Sequence, residues 1–128
     1  MNHLYGNDVS LTEKTLDLLW ERQNVTANNI ANVDTPGFKA RRVTFENALA
    51  ESIGSNSMRA NANHVDRAIQ TSGARVLEDP SESSRLDGNN VDMDQEQVQL
   101  VKTSYEYEMM VNSANNSLKR LDSAAKSF

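Results

Sequence analysis

Apolar residues gather at the two ends of the chain, where they recur with the period of an α-helix. In residues 9–33 the pattern is helical. Two shifted rows, the second of which starts upstream at Leu4, together make an apolar arc wider than one partner helix would cover. The rows consist of Leu16, Leu19, Gln23, Thr26, Ala27, Ile30 and Val33, and of Leu4, Leu11, Leu18 and Val25. Ser10 and Glu13 have the spacing of a capping box, which predicts that the helix starts near Val9. This helix either lies half-buried in a globular core or contacts other chains.

A second periodic stretch occupies the C-terminal end, where apolar residues are spaced 4-3-4-3 over four heptads. Leu100, Tyr107, Ala114, Leu121 and Phe128 fall seven apart, and Ser104, Val111, Leu118 and Ala125 take the alternate positions. This spacing is typical of a coiled-coil seam, although an ordinary amphipathic helix shares most of it. Asp92 and Gln95 have capping-box spacing, so the helix is predicted to run from Asp92 to Lys126, about 50 Å. We expect a mainly α fold, with the two terminal helices packed as an antiparallel coiled-coil hairpin.

A short connector follows the first helix. Pro36 presets the backbone for the second position of a turn, and Gly37 supplies the positive φ that the third position of a type II turn requires. Residues 38–43 then alternate like a short strand or extended arm. Thr44 is a candidate cap for a small helix. The shared face of that helix would consist of Phe45, Ala48, Leu49 and Ile53.

The middle of the chain, residues 54–90, is poor in large apolar side chains. It contains only Met58, Val65, Ile69, Val76, Leu77 and Leu86. Burying so few side chains cannot offset the conformational entropy of ordering the segment, so we expect it to be flexible or ordered by contacts outside itself. The patterns divide the chain into an N-terminal helix (1–34), a turn, arm and short helix (35–53), a polar variable loop region (54–90) and a C-terminal helix (91–128).

Composition narrows the possible functions. The hydrophobic fraction is 38%, below the roughly 45–50% of typical globular domains, and the net charge is −5. An acidic chain lacks the basic face that nucleic-acid binding needs, so we expect no nucleic-acid partner. The absence of cysteine excludes disulfides and thiolate chemistry. No apolar run is long enough to span a bilayer, and the first residues lack the pattern of a cleaved signal peptide.

Charged clusters offer little chemistry. The acidic cluster consists of Asp87, Asp92, Asp94 and Glu96. Its glycine stands at the wrong position for an EF-hand loop, and helix capping explains the same residues. No set of aromatic residues accompanies the glutamates as a sugar-binding site would require, so we expect no catalytic residue, metal or cofactor. Lys39, Arg41 and Arg42 form the one dense basic cluster, which is either a solvated arm or a surface for an acidic partner.

Two stretches carry a resemblance to a known family. Residues 27–39 read Ala-Asn-Asn-Ile-Ala-Asn-Val-Asp-Thr-Pro-Gly-Phe-Lys, and residues 87–96 read Asp-Gly-Asn-Asn-Val-Asp-Met-Asp-Gln-Glu. In this order they resemble the N- and C-terminal signatures of the bacterial flagellar rod and hook family. The motif positions are Asn28, Asn29, Ile30, Ala31, Asn32, Thr35, Pro36, Gly37 and Phe38, followed by Asp87, Gly88, Asn89, Asn90, Val91 and Asp92.

The resemblance implies a structural subunit of the basal-body rod, which assembles through its terminal helices and transmits torque. It implies contacts with copies of itself, other rod proteins, the membrane ring and the rod base or export gate. Export to the periplasmic rod would use the flagellar type III apparatus, without a cleaved signal. The implied assembly residues are Leu11, Leu16, Leu18, Leu19, Val25, Leu100, Tyr107, Val111, Ala114, Leu118 and Leu121. The alternatives are another type of rod subunit, an enzyme acting on peptidoglycan, and a cytoplasmic coiled-coil adaptor or export chaperone.

The motif residues have candidate physical roles. Amides both donate and accept hydrogen bonds, so Asn28, Asn29 and Asn32 are predicted to fix the register between close helices, the alternative being an exposed polar face. The turn at Gly37 is predicted to aim the arm, and Phe38 to anchor it.

Overall fold

The computed structural model describes residues 2–50, 73–83 and 85–127, with side chains from Val9 onward. Two long helices dominate this part of the chain. They are α1 (Asn2–Ala31) and α2 (Met93–Lys126), and between them lie the strands β1 (Arg41–Thr44) and β2 (Arg75–Glu78). Residues 46–50 are also helical. The predicted mainly α fold is confirmed.

The two helices pack against each other in opposite directions. Near the end of α1, Asn29 contacts Glu96 at the start of α2, and Gln23 donates to Ser104. Further toward the N-terminus, the ring of Trp20 lies 6.5 Å from that of Tyr107. Residues therefore pair in descending order along α1 and ascending order along α2, which confirms the antiparallel hairpin.

The start of α1 differs from the sequence prediction. The helix begins at Asn2, so Ser10 lies inside it and the predicted capping box near Val9 is wrong. A glycine inside a helix costs only about 1 kcal/mol, so Gly6 is no stop signal, and Leu4 continues the apolar row upstream of Leu11. At its other end α1 stops at Ala31, two residues before the predicted Val33.

The start of α2 agrees with the prediction. Asp92 is its N-cap, with an extended backbone, and its side chain accepts hydrogen bonds from the backbone N–H groups of Asp94 and Gln95 at 3.0 and 3.3 Å. These bonds satisfy two of the donors that every helix start leaves open.

The side of α2 that faces α1 is only partly the predicted seam. Leu100, Tyr107, Ala114 and Leu121 are half-buried, as that seam requires. The alternate row is divided between the predicted positions and those one residue earlier. Ser104 accepts a hydrogen bond from Gln23 of α1 and Val111 is half-buried, as that row requires, whereas Leu118 and Ala125 are exposed. One residue earlier in each heptad, Thr103 is fully buried and Met110 packs against the core. The seam includes polar residues whose partners are invisible in a hydrophobic pattern.

The arm pairs with a strand that the sequence analysis did not predict. β1 and β2 are antiparallel, with Arg41 opposite Glu78 and Thr44 opposite Arg75. β1 confirms the predicted extended arm. All four residues of β2 are exposed, so it has no buried face to produce an alternating pattern. Of the middle that was expected to be flexible or partner-ordered, residues 54–72 lie outside the described residues, as does Ile53.

A small core joins α1 to the end of β1. Its buried members are Leu18, Leu19, Val43 and Phe45, with Val25, Leu49, Ala74, Tyr107 and Met110 packed against them. Arg22 lies beside this core and is itself buried. Its guanidinium donates to the Val43 carbonyl at 2.9 and 3.3 Å, lies 4.5 Å from the Phe45 ring centre, and forms an ion pair with Glu46 at 2.6 Å.

The predicted cap at Thr44 is wrong by one residue. Thr44 belongs to β1, and the helical segment begins at Glu46. The Glu46 carboxylate instead accepts the backbone N–H of Phe45 at 3.2 Å. Arg22 thus fixes both the end of the strand and the start of the next helical turn.

We predict that this ion pair makes the free energy of unfolding depend on pH in the acidic range. The hydrogen bond from Arg22 lowers the pKa of Glu46 from 4.5 to about 2. Because the folded-state pKa lies below the unfolded one, the stabilisation is complete above pH 4.5 and is lost as the pH falls through about 2. Carbon-13 NMR titration of Glu46 should show this low pKa.

The variant Arg22→Met supplies the comparison. It should return the pKa of Glu46 toward its ordinary range and lower the free energy of unfolding by about 2–3 kcal/mol, because the Val43 carbonyl loses a charged donor. A Glu46 carboxylate that titrates near 4.5 in the wild-type chain would contradict this role of Arg22.

Candidate functional site

The two motifs found at opposite ends of the sequence lie against each other in the structure. We call this contact the motif junction: residues 28–42, from the end of α1 into β1, together with residues 79–96, from the loop after β2 into α2. The hydrogen bonds between the two stretches connect groups that are 39 to 67 positions apart in sequence. The junction therefore joins three segments that local structure alone would leave separate.

Asn89 closes the end of α1. Its side chain is buried, and its Nδ2 lies 2.9 Å from each of the carbonyl oxygens of Asn32, Val33 and Thr35. Nη1 of Arg85 donates to the same Val33 carbonyl at 2.5 Å. The last carbonyls of a helix and its turn have no partners within the helix, so these side chains supply the donors that they need.

The turn after α1 meets the turn before α2 through two glycines. Gly37 has a φ of 74°, and the Phe38 N–H donates to the Thr35 carbonyl at 3.2 Å, which confirms the predicted turn. Gly88 has a φ of 78°, and a Cβ on it would lie 3.7 Å from the Gly37 Cα. The Gly37 N–H donates to the Asp87 carbonyl at 2.8 Å, so the two turns are bonded backbone to backbone.

Asn90 holds the arm in place. Its Oδ1 accepts the backbone N–H of Ala40 at 2.7 Å, and its own N–H donates to the Phe38 carbonyl at 3.3 Å. Its Nδ2 donates to the carbonyls of Asp79 and Ser81, at 3.0 and 3.1 Å. One amide side chain thus connects the arm to the segment that follows β2.

Asn29 and Glu96 form the buried centre of the junction. Both side chains are fully buried, and Asn29 Nδ2 donates to Glu96 Oε2 at 3.0 Å. Asn29 also pairs with the backbone of Arg41, donating to its carbonyl at 2.8 Å and accepting its N–H at 3.0 Å. The other carboxylate oxygen of Glu96 forms an ion pair with Arg42. A buried carboxylate needs such partners, and here they come from α1 and from β1.

Comparison with known proteins identifies the family of the chain. The sequence profile of the family described as flagella basal body rod protein matches residues 15–39. Flagellar basal body rod protein FlgB of Bacillus subtilis (strain 168) is 33% identical over 127 residues, covering 96% of this chain and 98% of that protein. The chain belongs to the FlgB family. FlgB of Escherichia coli (strain K12) is 32% identical, covering 84% of each chain, and FlgB of Borrelia hermsii is 33% identical, covering 97% and 99%.

Of the three asparagines in the first motif, not all connect one helix or strand to another. Asn29 fits the predicted role, since it links α1 to α2 and to β1. Asn28 is exposed, and Asn32 bonds locally, to the Asn28 carbonyl at 2.8 Å and to the Thr35 hydroxyl at 3.1 Å. The alternative of an exposed polar face therefore describes Asn28 better.

The remaining predicted residues occupy different environments. Val91 is buried, whereas Ile30 and Phe38 are half-buried, and Ala31 and Pro36 are exposed. Of the predicted assembly residues, Leu18 and Leu19 are buried in the core, and Leu118 is exposed. The half-buried ones are Leu11, Leu16, Val25, Leu100, Tyr107, Val111, Ala114 and Leu121.

Two of the three cations of the basic cluster bond to other residues of the same chain. Lys39 Nζ donates to the Gly88 carbonyl at 2.6 Å, and Arg42 pairs with Glu96 and, at 3.5 Å, with Asp79. Arg41 is exposed. The pKa of Asp79 is lowered, first because the Ser81 N–H donates to its carboxylate and then because Arg42 is nearby. Neither predicted alternative, a solvated arm or a docking surface, describes Lys39 and Arg42.

Sequence reasoning missed the buried polar residues Arg22, Glu96 and Thr103. A signal existed for two of them. Glu96 and Thr103 are seven apart, four residues before Leu100 and Tyr107, so they continue the heptad if polar residues are admitted to the seam. Among the described residues, no three acidic or histidine side chains converge as a metal site would need. Neither described helix is long and apolar enough to cross a membrane.

We predict that Asn29→Ala lowers the free energy of unfolding by about 2–4 kcal/mol, because it leaves Glu96 and the Arg41 backbone with unsatisfied buried groups. Asn28→Ala is the matched control. It changes an exposed neighbour in the same helix and should stay within about 0.5 kcal/mol of wild type. Urea unfolding followed by circular dichroism measures both, and equal losses would contradict the central role of Asn29.

We predict that Gly37→Val destabilises the chain by about 1–2 kcal/mol or more, because a β-branched residue must then adopt a positive φ. A Cβ at this position would meet no atom within 4 Å, so the cost is conformational rather than steric. Gly73→Val is the control, since Gly73 has equally open surroundings and no positive φ. If both substitutions shift the unfolding midpoint alike, the turn does not depend on its backbone conformation.

Proposed function

We propose that this FlgB-family chain is a self-assembling structural subunit of the proximal rod of the flagellar basal body, and that it transmits torque. Family membership makes it a basal body rod component. The observation that supports the finer role is the motif junction, which joins the two terminal helices and the arm into one hydrogen-bonded unit. A subunit of a rotating shaft needs such cross-connections between its segments.

The geometry of the junction suits a mechanical role. Sliding α1 along α2 would break the bond between Asn29 and Glu96, and it would pull Asn89 from the end of α1. Pulling the arm away would break the bonds of Arg42 to Glu96 and of Asn90 to Ala40. Force applied to one segment is therefore shared by short polar contacts with defined directions.

The proposed partners follow from the family. They are copies of the chain, other rod proteins, the basal-body membrane ring, the rod base or export gate, and the type III export apparatus. The proposed location is the periplasmic rod, reached without a cleaved signal. The ionisable side chains at the junction support a structural rather than catalytic role, since Glu96 and Asp79 both bind Arg42.

A deletion strain of the host bacterium tests this function. We expect it to be non-motile and to yield basal bodies without a complete rod, and we expect a tagged wild-type chain to restore swimming and to co-purify with basal bodies. Asn29→Ala should restore less motility than Asn28→Ala at equal chain levels.

Three results would contradict the proposal. They are normal rods in the deletion strain, a tagged chain confined to the cytoplasm of swimming cells, and release of peptidoglycan fragments by the purified protein.

A further inference from the structure

The turn before α2 contains a peptide bond that can rearrange. Asp87 is followed directly by Gly88, and this is the one place in the sequence where Asp or Asn precedes glycine. The backbone nitrogen that follows an aspartate can attack the carboxyl carbon of its side chain, Cγ, and form a five-membered succinimide ring. Glycine permits this attack more readily than other residues, because it has no side chain to hinder the approach.

The fold requires both members of this pair. Gly88 has a φ of 78°, a backbone conformation that favours glycine. Oδ1 of Asp87 accepts the backbone N–H of Asn89 at 3.0 Å, which is the bond by which an aspartate shapes a turn. This turn aims Asn89 at the end of α1, which its Nδ2 caps. The residues that build the motif junction are therefore also the pair most prone to rearrange.

In the folded chain both reacting groups are engaged elsewhere. The Gly88 N–H donates to the Arg85 carbonyl at 3.2 Å and closes the turn. The Asp87 carboxylate accepts the Asn89 N–H through Oδ1, and its Oδ2 pairs with Nη2 of Arg85 at 3.4 Å. Ring closure would require the nitrogen to leave its acceptor and the carboxylate to leave both of its donors.

The backbone on each side of this bond is also held. The Asp87 carbonyl accepts the Gly37 N–H at 2.8 Å, and Nδ2 of Asn89 lies 2.9 Å from three carbonyls beyond the end of α1. These contacts restrain the rotations that would bring Cγ to the nitrogen. Asp87 itself is exposed, so water reaches it. The protection is therefore conformational and does not come from burial.

We propose that Asp87–Gly88 is a modification site, where isoaspartate forms while the motif junction is open and not while it is closed. The Gly88 nitrogen loses its proton and bonds to Cγ of the protonated Asp87 carboxyl, whose hydroxyl group leaves as water. Water then adds to one of the two ring carbonyls. Attack at the side-chain carbonyl restores aspartate, whereas attack at the backbone carbonyl leaves the main chain running through the side-chain carbons. The net reaction neither gains nor loses atoms.

The modified chain cannot rebuild the junction. Isoaspartate adds one methylene group to the backbone between Asp87 and Gly88, a length of about 1.5 Å. Asn89 then loses its fit to the three carbonyls, because N–H···O bonds extend only to about 3.2 Å between heavy atoms. The modification is therefore one-way: it arises in open chains and keeps them open. This inference does not rest on the proposed function.

Incubation of the full chain at neutral pH tests the site. Isoaspartate is measured by peptide mapping, in which the two isomers have equal mass but separate by chromatography. We expect it to accumulate at position 87 about tenfold or more faster in guanidinium chloride than in the folded chain, because the rate follows the population of the open form. Equal rates, or no isoaspartate at this position in the unfolded chain, would overturn the proposal.

Variants open the junction without denaturant. Asn89→Ala removes the cap on α1 but keeps the reacting pair, so it should speed the modification about tenfold. Asn28→Ala changes an exposed residue and should react at the wild-type rate, and Asp87→Ser, which lacks the carboxyl group, should give no signal. A helical Asn89→Ala chain that reacts as slowly as wild type would contradict protection by the junction. If this variant does not fold, the comparison of folded and unfolded wild type decides alone.

The product tests the consequence for the fold. Chains that carry isoaspartate are purified after unfolding and returned to native buffer beside unmodified chains taken through the same steps. The modified chains should unfold at a lower concentration of guanidinium chloride, since α1 has lost its cap. Equal midpoints would mean that the junction accepts the longer backbone, and the one-way character of the modification would then be wrong.

Discussion

The buried carboxylate of Glu96 is the constraint on which the rest of the structure depends. An unpaired charge in a protein interior costs several kcal/mol, so Glu96 can lie between the helices only if donors reach it. Asn29 and Arg42 are those donors, and they belong to α1 and β1. Satisfying one side chain therefore fixes the register of the hairpin and the position of the arm. Asn89 and Asn90, a few residues before Glu96, are then placed over the end of α1 and the arm.

Much of the fold follows from local sequence signals. The cap at Asp92 and the glycine turn at Gly37 were predictable because each satisfies a requirement of its immediate neighbours. β2 and the burial of Thr103 were not. β2 exists through its pairing with β1, and Thr103 is buried although its type favours the surface. Both depend on partners distant in sequence, which periodicity cannot reveal.

The candidate site was also predictable only in part. The family resemblance marked the right residues in both motifs, and elementary turn chemistry gave Gly37 its role. Only the structure shows that the two motifs touch and that Asn89 and Asn29 act in different ways. The packing accounts for the low apolar content of the chain. Within the described residues the hydrophobic core is small, and much of the stabilising contact comes from the buried polar side chains of Arg22, Asn29, Asn89 and Glu96.

The cap that Asn89 places on α1 has a consequence for the order of folding. Its carbonyl partners lie 54 to 57 positions earlier in the chain, so the cap cannot form until the intervening loop closes. A ribosome that has released only the first 80 residues presents α1 with its carboxyl end open. The hydrogen bonds that cap α1 therefore form only late in synthesis, after Asn89 has been added to the chain.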